Sequence, residues 1–137
     1  MKKSILNCLV PAAIVSLTGQ ALADGIDGTA PLICATNEAY DCGPNIDCAT
    51  NTPETVDLPR FIRLDFAGKR AFTKRQSGEE RMAPIASQTV DSGMLILQGI
   101  QNAHAWSLLI SQATGSMSLS ISGDEVGFVV FGSCTTL

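Results

Sequence analysis

An all-β fold is what this chain predicts: an antiparallel meander of six to seven strands forming a small barrel or half-barrel, with a loop-rich, disulfide-pinned head at its N-terminal side. Three observations carry that reading. Ser116 to Ser122 sets Met117, Leu119 and Ile121 against Ser116, Ser118, Ser120 and Ser122, and so strict a period of two cannot keep an apolar face on a helix. His104 to Ser111 places His104, Trp106, Leu108 and Ile110 on one side of a strand, because alternate side chains point to opposite faces. Turn chemistry recurs at short intervals: Asp91-Ser92-Gly93, Gln112-Ala113-Thr114-Gly115, Ser122-Gly123-Asp124 and Gly132. Short strands at this spacing read as a meander packed into a sandwich or barrel.

Taken in order, the chain opens on Met1-Lys2-Lys3, a mostly apolar run from Ile5 to Leu17, and Ala21-Leu22-Ala23. This is the pattern of a secretory signal, residues 1–23, cleaved before Asp24. The apolar run is too short for a membrane span, is broken by Pro11, and continues past Cys8 in a way that does not suit a lipid anchor. A periplasmic or secreted protein is expected, with residues 24–137 as a single β-domain and no membrane insertion after cleavage. Removing Cys8 leaves Cys34, Cys42, Cys48 and Cys134. An even set in a small exported domain predicts disulfides, and the favoured pairing is Cys34–Cys134 with Cys42–Cys48. Zinc fits poorly, since there is no Cys-x-x-Cys and the sole histidine lies in an apolar strand.

Charge divides the mature chain into three. The head from Asp24 to Pro59 holds seven acids and no Lys or Arg. Leu32 to Cys42 within it favours neither the helical nor the strand period. Asp41, Asn45 and Asp47 resemble calcium ligands only loosely, because the EF-hand order and its glycine are missing. The next segment carries every remaining base: Arg60, Arg63, Lys69, Arg70, Lys74, Arg75 and Arg81. Phe61 to Phe66 reads as a strand, Ala67-Gly68-Lys69 as a turn, Ala71-Phe72-Thr73 as the return strand, Gln76 to Glu80 as a connection and Ile85 to Val90 as a further strand. Arg63, Arg70 and Arg75 are candidates for an acidic contact; otherwise they form a solvated face. Nucleic acid is an unsuitable partner, because an acidic exported chain lacks aromatics interleaved with its bases.

Beyond Asp91 only Asp124 and Glu125 are charged. Met94 to Leu97 and Val126 to Phe131 are apolar on both faces, as in strands covered on two sides or lying at a seam. Ser116, Ser118, Ser120 and Ser122 would line an uncharged outer face, and charge depletion is a mark of interface cores. Catalysis is poorly served. There is one histidine, no Gly-x-Ser-x-Gly, no close thiol pair and no phosphate-cradling loop, so no nucleophile has an oriented base. The sequence implies no enzyme, no cofactor and no metal. It leaves the oligomeric state open.

The run Asp57-Leu58-Pro59-Arg60-Phe61-Ile62-Arg63-Leu64-Asp65, the Trp106-Ser107 pair, Thr114-Gly115 and the closing Phe131-Gly132-Ser133-Cys134 resemble a group of small exported proteobacterial proteins of unknown function. In general plan the chain is also similar to periplasmic C-type lysozyme inhibitors. Those carry a Ser-Gly-x-x-Tyr-like loop, of which Asp91-Ser92-Gly93-Met94-Leu95 supplies Ser-Gly without the tyrosine, so no functional residue is carried over. The expectation is a non-enzymatic binding protein that docks on an envelope or secreted protein partner. The alternatives are a lipocalin-like carrier of a small apolar ligand and an inhibitor of a cell-wall hydrolase. An open cavity lined by Trp106, Met117 and Phe128 marks the carrier; a filled interior with a flat serine face marks the partner-binder.

Overall fold

The computed structural model describes residues 25–137. The expected signal segment 1–23, Cys8 and the cleavage point before Asp24 lie outside the described residues. Ten strands follow one another: β1 (Leu32–Cys42), β2 (Ala49–Asn51), β3 (Phe61–Asp65), β4 (Arg70–Lys74), β5 (Glu80–Pro84), β6 (Ser87–Asp91), β7 (Met94–Gln101), β8 (His104–Ser111), β9 (Ser116–Ser122) and β10 (Gly127–Thr136). They form one antiparallel sheet in the order β5-β4-β3-β1-β10-β9-β8-β7-β6, with β2 added on β1. The two edge strands are consecutive in the chain. At the passage between them the Ile85 N–H donates to the Lys69 carbonyl (2.9 Å) and the Ala86 N–H to the Gln98 carbonyl (2.8 Å). One chain segment therefore leaves the β4 side and joins the β7 side, and the sheet curls into a half-barrel. Gln101 Nε2 spans the stretch of seam without a ladder, donating to the Met82 carbonyl at 2.9 Å.

Strand β1 explains why Leu32 to Cys42 shows no clear period. Its register on β10 shifts between Thr36 and Glu38, a bulge that puts one extra residue into the strand and reverses its parity. Before the bulge Leu32, Cys34 and Thr36 are buried; after it Ala39 is. The segment is a full strand in the middle of the wall, paired with β10, β2 and β3.

Ten strands replace the six or seven expected, and the largest correction is β5. The sequence reads Glu80 as part of a connection and Ile85 to Val90 as the next strand, whereas Glu80–Pro84 pairs with β4 and Ile85-Ala86 is the crossing point. Two charges and a proline disguise β5. Pro84 is tolerated there because an edge strand does not need every N–H. The four strands from Met94 onward form the consecutive hairpins that the alternation predicts. Both disulfides are the favoured ones, Cys34–Cys134 and Cys42–Cys48. Cys34 faces Cys134 directly across the β1–β10 ladder, so the first bond staples the first and last strands of the wall.

Leu32, Leu64, Leu95, Ile110, Met117 and Cys134 fill one end of the interior. The segment before β1 closes that end. Ile26 is buried there, its carbonyl accepting from Gln112 Nε2 at 2.8 Å, and the Gly28 carbonyl accepts from Gln88 Nε2 at 2.9 Å. Thr29 donates to Asp27 through its hydroxyl (2.6 Å) and its N–H (2.8 Å), which hold the Asp27 carboxyl below its ordinary value. Toward the other end the inward positions shrink on one wall, and a cavity begins.

Candidate functional site: the open end of the barrel

The cavity follows from a mismatch of side-chain size. Ala71 on β4 and Ala83 on β5 occupy inward positions where larger residues could have met the opposite wall. Gly99 stands directly across from Trp106. A Cβ at residue 99 would collide with the Pro84 carbonyl and the Trp106 indole, so the glycine is what lets the ring lie against the seam. With the indole there, Leu108, Leu119, Ile121 and Phe128 form the apolar wall of a cavity of about 300 Å³. That is the lower end of the range for small-molecule sites.

Its rim is polar. Thr73, Arg75 and Arg81 come from the β4–β5 hairpin, and Gln101, Asn102 and His104 from the β7–β8 hairpin. Asn102 and Ala103 both take positive φ (49° and 62°), the backbone of a two-residue type I′ turn. His104 Nδ1 lies 2.8 Å from the Asn102 carbonyl. Over the mouth lies a flap, Val56-Asp57-Leu58-Pro59. The Leu58 N–H donates to the Pro53 carbonyl (2.8 Å), while Thr36 binds its far side through Oγ1 to the Pro59 carbonyl (2.7 Å) and N–H to the Arg60 carbonyl (2.9 Å). Arg60 pairs with Glu54, and Arg75 pairs with Asp57. The Glu54 carboxyl is held below its ordinary value, chiefly by its own backbone N–H and further by Arg60.

Two donors in this lining are unmatched. Arg75 Nε and Trp106 Nε1 are shut off from solvent and have no hydrogen-bond partner. Such groups are costly to leave unpaired.

No family model, curated protein or solved structure matches the chain. The reading of function therefore rests on the cavity and on the faces of the sheet.

The structure separates the residues that the sequence singles out. Arg75 is at the cavity mouth. Arg63 is on the outer face of β3 with its guanidinium 4.7 Å from the Phe72 ring centre, and Arg70 starts β4 at the closed end of the barrel. They do not form one cationic patch. Ser116, Ser118, Ser120 and Ser122 do share the outer face of β9. Beside them on β10 stand Val129 and Phe131, 37% and 43% exposed and paired with Ser120 and Ser118. Phe131 meets Tyr40 edge-on at 6.0 Å, and the Tyr40 hydroxyl donates to Glu38 (2.9 Å), which raises its pKa. The doubly apolar β10 is thus covered on its inner face alone among the described residues. Ser92-Gly93 forms the β6–β7 turn, at the end away from the cavity. Of the three residues expected to mark a ligand cavity, Trp106 and Phe128 line it, while Met117 is packed into the closed end.

Proposed function

We propose that this is an exported, non-enzymatic binding protein whose half-barrel holds a small, largely apolar ligand. The observation that supports it is the 300 Å³ cavity between Trp106, Phe128 and the small residues Ala71 and Ala83. An interior left open by small side chains has a cost in packing, and a ligand restores those contacts. Two disulfides are consistent with an oxidising, non-cytoplasmic compartment, and with the signal pattern of residues 1–23 they support a periplasmic or secreted carrier.

Trp106 is the sole tryptophan, so its emission reports on the cavity without a label. Titration with 1-octanol should give a saturable change in that emission. Ala83→Leu, which places a larger side chain into the cavity, should abolish the response while the protein stays folded. A flat titration of the wild type, or an unchanged response in Ala83→Leu, argues decisively against the carrier.

A second reading keeps a protein partner. It is favoured by the outer face of β9 and β10, where Ser118, Ser120, Val129 and Phe131 combine exposed apolar area with an absence of charge, the composition of an interface centre.

A further inference from the structure

We infer that the flap, residues 52–58, is a gate on the cavity, held shut by the ion pair of Asp57 with Arg75 and freed when that pair is lost. This rests on the carrier reading above and adds to it how the cavity admits its ligand. The backbone hydrogen bonds of the flap close on itself. The Thr55 N–H donates to the Thr52 carbonyl (3.0 Å), Asp57 to Glu54 (3.3 Å) and Leu58 to Pro53 (2.8 Å). Among the described residues no backbone hydrogen bond runs from the flap to a strand of the barrel. Its two ends are moored, one by β2 on β1 and the other by the bonds of Thr36 to Pro59 and Arg60. Such a segment can swing without breaking a ladder, and segments of this kind lie at the low end of local stability.

Two things hold the flap down: the partly buried side chains of Val56 and Leu58, and one ion pair that crosses to the β4–β5 hairpin. The pair of Arg60 with Glu54 is no second latch, because Arg60 sits at the flap's own base. The side chains of Asp57 and Arg75 are 54% and 31% exposed. Exposed pairs contribute little and are screened by salt, so this latch shuts without locking. Arg75 also keeps a partner when the flap lifts. Its Nη1 lies 3.7 Å from Glu79 on the same hairpin, so release of Asp57 leaves a carboxylate beside the guanidinium. Two arrangements close in energy are what a gate requires.

Quenching of Trp106 by acrylamide, a small uncharged probe, reads the gate with no ligand present. Asp57→Asn removes the charge and keeps a residue type that tolerates the positive φ of 55° at this position. The quenching constant should rise about two- to fivefold in the variant, the size of an exposed pair's contribution. In the wild type it should also rise with sodium chloride, from about 20 to about 500 mM, while the variant should not respond to salt. Arg60→Gln, which breaks only the pair at the flap's base, should quench as the wild type does. Saturating 1-octanol should suppress quenching in all three proteins. Circular dichroism confirms the fold of each variant, and the salt series on the wild type decides the matter if Asp57→Asn does not fold. Equal quenching in wild type and Asp57→Asn, with no salt dependence, overturns the gate and leaves the cavity reading intact. An equal rise in Arg60→Gln overturns the latch, since any loosening of the flap would then suffice. The expected quenching pattern with a flat octanol titration ends the carrier reading and leaves the gate standing.

Discussion

At Gly99 a missing side chain decides where the largest side chain of the molecule lies. The indole of Trp106 occupies the space that any Cβ at 99 would need, and the Pro84 carbonyl blocks the other direction. Gly99→Ala should therefore destabilise the protein by about 1–3 kcal/mol, the usual cost of overpacking a fitted interior. It should also shift Trp106 emission as the ring moves toward the cavity. Denaturant unfolding followed by tryptophan fluorescence reads both quantities in one experiment; an unchanged midpoint and spectrum would show that the ring rests elsewhere. The conformational freedom of glycine is not the issue at this position, since its role is the close approach alone.

Strand β9 shows how one element can serve two surfaces. Its inward residues Met117 and Leu119 are buried, while Ser116, Ser120 and Ser122 face out exposed and Ser118 is half-buried beside Phe131. Ser118→Lys together with Ser120→Lys should change stability by no more than about 0.5 kcal/mol, as surface substitutions usually do. If this face docks on a protein, two ammonium groups buried at the contact should abolish association without unfolding the domain. Pull-downs from periplasmic extract, paired with melting curves, separate the cases. Equal recovery of partners by wild type and double variant leaves the face merely solvated.

For the whole molecule, the two disulfides act on very different lengths of chain. Cys34–Cys134 closes a separation of 100 residues and Cys42–Cys48 one of 6. In the chain-entropy account the long loop is worth about 4–5 kcal/mol and the short one about 2 kcal/mol. Replacing both members of each pair by Ala, and comparing denaturant midpoints, should show the larger loss for Cys34 and Cys134. Cys34 is also completely buried, so packing adds to that loss. A larger loss for the short loop would mean that the head, and not the β1–β10 staple, limits unfolding.

Local pattern determined the all-β class, the three hairpins after Met94, and the inward set His104, Trp106, Leu108 and Ile110. Those features depend on side-chain alternation and on turn residues that are neighbours in the chain, so they are legible without a fold. Strand β1 as a whole is not, because the bulge reverses its parity part-way along, and β5 is masked by Glu80, Arg81 and Pro84. The cavity was half legible. Trp106 and Phe128 are legible as possible lining, yet the gap itself comes from Ala71 and Ala83, which are small for no reason visible along the chain. Only the curled sheet brings β4 and β5 opposite β8 and β10, and only there does a deficit of side-chain volume become a space. The same closure turned Arg75 inward to the mouth and left Arg63 and Arg70 on other surfaces, since position around a barrel depends on strand order and tilt and not on proximity in sequence.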